Sequence, residues 1–396
     1  MGERNFKSKT QEENVIKEMK KIGIITINDD KNYGNRLQNF AMQRWLEDFG
    51  YCVQTVRTQG YRDWYYKRKD PIIFLKIFLL NIFKKNVSKV IDREELLVQR
   101  RKQNFKHFNT NHISYYNKII KSEFVPRKIK KDFDYFVTGS DQVWNPNFWL
   151  GTHTMYLHFA PRKKRIAIAA SFGVDQIPAR DRELITKYLR GMNYISVREE
   201  SGRQIVEELT GESCDVILDP TLLVNPMVWY GIAEEAPIQL PERYVLTYLL
   251  GDVSAERKAY ISNYAKENNC KIINMNNISE PDVYVWGPGA FLKAIKQSSC
   301  FFTDSFHGCV FSILFHRQFV VFRRQGEQNN MFGRIETLLN TVGLKECEIN
   351  EERSLPDMIT EEKYDTIDRI LHYKRVEAKK RLKRVLLQTK EIDNEN

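Results

Sequence analysis

Residues 21–27, KIGIITI, are a short apolar run that predicts a buried strand. A polar turn, NDDKNYGN, separates it from RLQNFAMQRWLEDFG, where Leu37, Phe40, Ala41, Trp45 and Leu46 recur on a helical period and Gly50 marks the stop. YCVQTVRT then resumes the strand pattern. Strand, helix, strand is the opening of a doubly wound α/β domain, because parallel strands need a crossover between them. The alternation breaks over 60–131 and returns with strands in FDYFVTG and KRIAIAASFG, a helix over 179–190, a strand in YISVREESG, a helix over 201–210 and the stretch CDVILDPTLL. Pro226, Pro237 and Pro241 punctuate 225–243, which reads as a linker. A smaller unit of the same kind follows, with strands in RYVLTYLLGD, KIINMN, CFFTDS and QFVVFRR, and helices over 254–268, in GPGAFLKAIKQSS and in FHGCVFSILFHR.

The expected architecture is therefore α/β, with two Rossmann-like domains. The first covers 20–225 with an insertion at 60–131, and the second covers 243–345. A charged amphipathic helix over 360–396 is expected to pack back on the first domain.

Charge changes the picture at one place. The chain of 396 residues carries a formal net charge of +11. Arg62 to Lys131 alone holds 19 Lys and Arg against 6 Asp and Glu, an excess of 13 that leaves the remainder at −2. A nucleic-acid binder would carry its charge over the binding fold, so the pattern points to a local basic insertion and no nucleic-acid partner. Within it, Pro71 precedes a dozen residues that are apolar except for Lys76 and Asn81, too short a run to cross a bilayer. Two readings stay open: a helix covering the neighbouring domain, or peripheral membrane contact through 67–106. The polar start of the chain has no secretory apolar region, so the expected location is cytoplasmic, at most peripheral to the inner face of the membrane.

Six cysteines form no C-x-x-C pair, and His153 and His158 are five apart, so neither a metal nor another cofactor is expected. The chain contains no G-x-x-x-x-G-K-[ST] loop, no G-x-G-x-x-G turn and no G-x-S-x-G elbow. Those absences remove the sequence support for nucleotide hydrolysis, dinucleotide redox chemistry and serine hydrolysis.

The chemistry concentrates in five turns after expected strands: NYGNR (32–36), TGSDQVW (138–144), SFG (171–173), SVREESG (196–202) and TDSFHG (303–308). Open α/β sheets place ligands at these strand ends, and several such turns on two sheets imply a cleft between domains. In TDSFHG a helix starts near His307 or Gly308. Its N–H groups and the Ser305 hydroxyl suit an anion, while Asp304 or Ser305 equally suits a plain helix cap. His307 adds a group that moves protons near neutrality. Arg198 and Arg334 have the fork geometry for a carboxylate or phosphate, with a simple ion pair to Glu199 or Glu200 as the alternative for Arg198. Asp141 and Trp144 suit orienting a partner and stacking on a flat ligand, or capping and core packing. Gly34, Asn35 and Ser140 complete the polar residues at these turns.

Taken in order, NYGNRLQNFAMQRWL, FVTGSDQVWNP, ASFG, SVREESG, DPTLL, FLKAIKQSSCFFTDSFHGCVFSILF and MFGRIETLL resemble the polysaccharide pyruvyl transferase family over about residues 20–345. GSDQVW and TDSFHG carry most of the specificity. Arg36 departs from the family, which commonly has a small residue after Asn35, and this bears on the local ligand contact. The resemblance implies a GT-B-like pair of domains facing a cleft. It further implies transfer of the enolpyruvyl group of phosphoenolpyruvate onto a sugar of a bacterial surface polysaccharide or its lipid-linked precursor, giving a pyruvate ketal and phosphate. On that reading His307 transfers a proton or holds the phosphate, and Arg198 and Arg334 bind the anion. Asp141 or Asp304 orients the histidine or acceptor, and Gly34, Asn35, Ser140, Trp144, Ser305 and Gly308 line the substrate site. A nucleotide-sugar glycosyltransferase and a non-catalytic sugar-binding homologue are the competing readings.

Overall fold

The computed structural model describes residues 19–29, 31–59, 93–121, 124–148, 154–324, 332–349 and 358–394. Two all-parallel sheets dominate it. The first is ordered β3-β2-β1-β4-β5-β6-β7, from β1 (Lys21–Ile25), β2 (Cys52–Gln59), β3 (Tyr115–Lys121), β4 (Tyr135–Gly139), β5 (Arg165–Ala170), β6 (Tyr194–Val197) and β7 (Asp215–Val216). The second is ordered β12-β11-β10-β8-β9, from β8 (Tyr244–Tyr248), β9 (Lys271–Asn274), β10 (Cys300–Thr303), β11 (Phe319–Phe322) and β12 (Glu348–Ile349). Central strands such as β4 and β10 are buried at every position, as expected of a parallel sheet covered by helices on both faces. The chain is thus α/β, with two Rossmann-like units in a GT-B-like arrangement.

Helix α1 (Tyr33–Glu47) starts at Asn32, whose side chain accepts the Asn35 N–H. Its periodicity predicts one apolar face, yet Gln38, Asn39 and Gln43 are buried as well. The helix lies between the first sheet and the helices of the second unit, so neither side meets water. Burial is tolerable because the polar groups pair: Gln43 Nε2 donates to Thr55 Oγ1 at 2.8 Å, and Thr55 Oγ1 donates to Asn39 Oδ1 at 2.7 Å.

The basic insertion differs from expectation. The segment 60–92, most of the stretch 67–106 assigned to membrane contact, lies outside the described residues. The rest is a helix α2 (Arg93–His112), strand β3, and a short helix α3 (Arg127–Asp132). β3 pairs in parallel with β2 and forms the edge of the first sheet, so this part belongs to the domain and is not an appended helical insertion. Two exposed lysines, Lys118 and Lys121, hide its strand pattern in the sequence. Within 93–106 only Leu97, Arg101 and Phe105 are buried, and one side of the helix is tied inward: Arg101 Nη1 donates to Tyr284 O at 2.9 Å, Asn104 Nδ2 donates to Val285 O at 2.6 Å, and Phe105 packs on Tyr33.

CDVILDPTLL yields only the two-residue β7 and then a helix, because the Asp219 side chain accepts the Thr221 N–H with Pro220 at the first helical position. The linker at 225–243 contains a helix, Met227–Glu234, whose Trp229 is fully buried.

One continuous apolar core joins a face of the first sheet to the second unit, through contacts such as Tyr33 stacked on Phe291 at 4.6 Å and Trp229 edge-on to Phe311 at 5.0 Å. A separate core lies under the other face of the first sheet, and a third on the outer face of the second. The C-terminal helix, Glu361–Asn394, buries Ile367, Leu371, Ala378, Leu382 and Leu386 along one side. Tyr364 near its start donates to Arg317 O of the second unit. Further along, Arg375 donates to Leu222 O, and Arg381 pairs with Asp215 of the first unit. Among the described residues no helix is long and apolar enough to cross a membrane.

Candidate functional site

The carboxyl ends of the two sheets face each other, and the polar turns meet there. Five polar side chains form the centre: Asp141 after β4, Arg198 after β6, Asp219 after β7, His307 after β10, and Arg334 in the first turn of the helix Gly333–Val342. The Arg198 side chain is essentially fully buried. Its Nη1 lies 2.7 Å from Asp219 Oδ2, its Nη2 3.6 Å from Asp141 Oδ1 and its Nε 3.8 Å from Glu199 Oε2. The guanidinium sits over the Phe306 ring at 4.5 Å, a cation–π contact across the two units. Arg334 Nη1 lies 3.9 Å from Asp141 Oδ1, and its guanidinium is 5.9 Å from the same Phe306 ring.

His307 Nε2 lies 3.7 Å from Asp219 Oδ1. Its place is created by Gly34 on α1: a Cβ on Gly34 would fall 2.0 Å from His307 Nδ1 and 2.5 Å from its Cγ. Here the glycine is needed for close approach, not for backbone freedom. Behind it, Asn35 Nδ2 donates to Asp141 Oδ2 at 3.0 Å, while its Oδ1 accepts the Asp29 N–H and Arg36. Arg36 is fully buried and points away from the cleft, donating to Tyr115 Oη at 3.0 Å and Ile27 O at 2.6 Å. The family departure at this position therefore supports Asn35 from behind and makes no ligand contact itself.

Several sequence assignments change. Asp304 does not orient His307. Its carboxylate accepts the N–H groups of Leu250 and Gly251, both at 2.8 Å, and pairs with Arg324 at 3.4 Å, holding the loop after β8. Ser305 is the helix cap, accepting the Gly308 N–H, and Gly308 packs where a Cβ would meet Thr303 Oγ1 at 2.7 Å. Trp144 is core: fully buried, stacked on Tyr156 at 5.0 Å, with Nε1 donating to Met155 O. Ser140 is also fully buried, and its Oγ donates to Asp219 Oδ2, so it supports that carboxylate. Arg198, Arg334, His307, Asp141, Gly34 and Asn35 come together as one cluster. Asp219 and Glu199 belong to it as well. Asp219 sits in an Asp-Pro-Thr sequence that reads as a helix cap, and it is one: Oδ1 accepts both the N–H and Oγ1 of Thr221. Its second role depends on strand order, which no local signal carries.

The electrostatics are unbalanced in a specific way. Burial alone would raise the Asp219 carboxyl, but His307, Arg198 and Ser140 more than offset this and hold it far below the usual carboxylate range. Asp141 is likewise held low against burial, by Arg198, His307, Arg334 and Asn35. Arg334 shows the opposite strain: burial and the neighbouring Arg198 charge push it down to about 10. Buried without a hydrogen-bond partner are Arg198 Nε and Nη2, Arg334 Nε, His307 Nε2 and Glu199 Oε2. Unused donors on two guanidiniums and an imidazole mark a place for an anion. Among the described residues no group of three or more His, Cys, Asp or Glu could hold a metal.

Asp219 allows a sign-definite test. Because its folded pKa is depressed, the stability it contributes is present above about pH 4 and is lost as pH falls toward the folded value. Asp219→Asn should be less stable than wild type at neutral pH, and in urea melts the gap should begin to narrow below about pH 4 and keep narrowing as the pH falls further. A gap independent of pH would contradict the ionised assignment.

Two facing α/β units thus enclose an arginine-lined cleft whose unused donors suit an anionic ligand. A sequence model of the family "polysaccharide pyruvyl transferase" matches residues 32–326, and the chain belongs to that family. It is accordingly a transferase acting on polysaccharide. No curated protein shows significant sequence similarity. Solved structures that it resembles include the UDP-GlcNAc 2-epimerase of Methanocaldococcus jannaschii, at 13% identity and TM-score 0.39, covering 89% of this chain and 99% of that one. The UDP-N-acetylglucosamine 2-epimerase of Rickettsia bellii aligns at 11% identity and TM-score 0.42, covering 95% and 98%. A glycosyltransferase of Rickettsia africae aligns at 10% identity and TM-score 0.41, covering 93% and 99%.

Proposed function

We propose that this chain transfers the enolpyruvyl group of phosphoenolpyruvate to two hydroxyls of one sugar, forming a pyruvate ketal and releasing phosphate. The observation that carries this reading is the pair of buried guanidiniums, Arg198 and Arg334, whose unused N–H donors lie beside His307. Phosphoenolpyruvate brings a phosphate and a carboxylate, and two separate forks suit two separate anionic groups. Bound anion would also offset the burial and the Arg198 repulsion that together depress Arg334.

In the reaction the vinyl methylene gains a proton, the carbon–oxygen bond to phosphate breaks, and two carbon–oxygen bonds to the sugar form. The two hydroxyls release two protons: one balances the proton delivered to carbon and one leaves with phosphate. His307 is the proton-moving group, positioned by the ionised Asp219. Positive charge develops on the central carbon, and Asp141, held ionised in the same cluster, stabilises it. No resident cofactor enters this scheme, and the sugar acceptor is the second substrate.

Calorimetry should show saturable binding of phosphoenolpyruvate and none of UDP-sugars. Incubation with sugar acceptors should add the mass of an enolpyruvyl group, with stoichiometric phosphate release. Binding of a UDP-sugar with no response to phosphoenolpyruvate would overturn the proposal in favour of glycosyl transfer.

A further inference from the structure

The cluster around Arg198 backs onto a hollow that the scheme above does not use. Arg198, Asp219, Phe306 and Arg334 form one end of a cavity of about 50 Å³ between the end of β7, the helix Gly333–Val342 and the C-terminal helix. At about 10–15 Å³ for each water it has room for roughly four water-sized groups, the scale of a phosphate ion. Gly34, Asn35, Asp141 and His307 do not line it. The two guanidiniums thus stand between the histidine side of the cleft and this cavity. Its far wall reaches the surface, where the Arg381 side chain is 39% exposed.

The sequence explains both the space and its charge. Arg334, Thr337, Leu338 and Thr341 fall at i, i+3, i+4 and i+7, one face of a helix. Lys374, Glu377, Ala378 and Arg381 repeat that spacing on the facing helix. The C-terminal helix buries Ile367, Leu371, Leu382 and Leu386 along with Ala378, so the hollow opens where a large side chain gives way to a small one. Four cations, Arg198, Arg334, Lys374 and Arg381, line it against two carboxylates, Asp219 and Glu377. Arg198 is held by Asp219, and Arg381 by Asp215. Lys374 makes no ion pair or hydrogen bond among the described residues, and neither does the Thr341 hydroxyl. Together with the buried, unpaired Nε of Arg334 they carry unused donors outward from the cluster, about 10 Å along the helix from Arg334 to Thr341.

We propose that this cavity is a phosphate pocket, which takes the inorganic phosphate released in the transfer and passes it out beside the C-terminal helix, with Lys374 and Thr341 among its ligands. The origin of the phosphate rests on the transferase reading; the site rests on the cavity. When the second sugar hydroxyl bonds to the central carbon, the carbon–oxygen bond to phosphate breaks. The phosphate keeps that electron pair, takes one hydroxyl proton and leaves as a dianion. An excess of cations with unused donors, on the side of the guanidiniums away from His307, draws it off from the new ketal. A sugar ring is too large for the space, and Lys374, a compact point charge, suits phosphate where a carboxylate calls for a fork.

The test uses the full chain and inorganic phosphate, titrated by calorimetry without phosphoenolpyruvate or sugar. Wild type should bind it saturably. Lys374→Glu should weaken phosphate at least about tenfold and phosphoenolpyruvate less than about threefold, since charges beyond about 8–10 Å are largely screened. Ala378→Leu should fill the hollow, melt no lower than wild type and weaken phosphate at least about tenfold. In rapid-mixing runs with sugar acceptor, it should form the first equivalent of ketal at the wild-type rate and then turn over about tenfold more slowly, because release has become limiting. Lys374 is half-buried and unpaired, so its replacement decides the matter even where the leucine disturbs the helix packing. If wild type makes no ketal, the transferase reading fails while the phosphate titrations still judge the site. The proposal is overturned if wild type binds no phosphate, if Lys374→Glu leaves phosphate affinity intact or weakens phosphoenolpyruvate equally, or if a folded Ala378→Leu keeps wild-type kcat and phosphate affinity.

Discussion

Replacing Gly34 with alanine should abolish nearly all turnover while leaving the protein folded. The added methyl carbon would lie 2.0 Å from His307 Nδ1, and the imidazole would have to move. His307 is buried, with Phe306 edge-on at 5.1 Å and Asp219 on its Nε2 side, so displacement carries it out of register with both carboxylates. Alanine is otherwise favourable in a helix, by up to about 1 kcal/mol over glycine, so the backbone has no objection. The expected loss is about a hundredfold to a thousandfold in kcat, the scale of losing a positioned acid–base group. Combining it with His307→Ala should add little, because both changes remove one function. Near-wild-type kcat in Gly34→Ala with an unchanged melting temperature would remove His307 from the reaction.

The second large effect separates the two arginines by sign. Arg198 is held by Asp219, Asp141 and Glu199, and together they raise its pKa against burial. Arg198→Ala would leave those carboxylates buried and facing one another, costing about 3–5 kcal/mol of stability. Arg198→Lys keeps the charge but not the fork. It should fold, lose at least about tenfold in phosphoenolpyruvate affinity, and lose about a thousandfold in turnover. Arg334 is different because its charge is already disfavoured in the free protein. Arg334→Gln should therefore bind phosphoenolpyruvate about tenfold or more weakly while melting at the same temperature as wild type or higher. Thermal melts and calorimetry on the same samples decide it. Equal destabilisation by Arg198→Ala and Arg334→Gln would contradict the charge balance described above.

Much of this was legible in the sequence. The alternation of apolar runs and turns placed most strands of both sheets, all but β3 and β12, because parallel strands buried on two faces read as apolar runs punctuated by polar turns. His307, Arg198, Asp141 and Arg334 could be singled out because polar turns after strands are where such folds gather chemistry. What could not be read was which partner each residue meets. Asp304 is nearer to His307 in sequence than Asp219 is, yet the histidine faces Asp219, since β7 and β10 end opposite one another across two sheets. Trp144 sits in a motif that resembles a ligand platform, and only packing against Tyr156 reveals it as core. β3 was hidden because its exposed lysines interrupt the apolar alternation that marks a strand.

The apolar core shared by the two units has a consequence for how the enzyme comes into being. A ribosome releases Asp141, Arg198 and Asp219 well before His307 and Arg334, and the helix from Glu361 onward, which grips Asp215 and Leu222, is made after all of them. Half-made chains thus hold half a cluster and an uncovered apolar face. The cluster is complete only once His307 and Arg334 have joined it, and the apolar face between the units is covered only then.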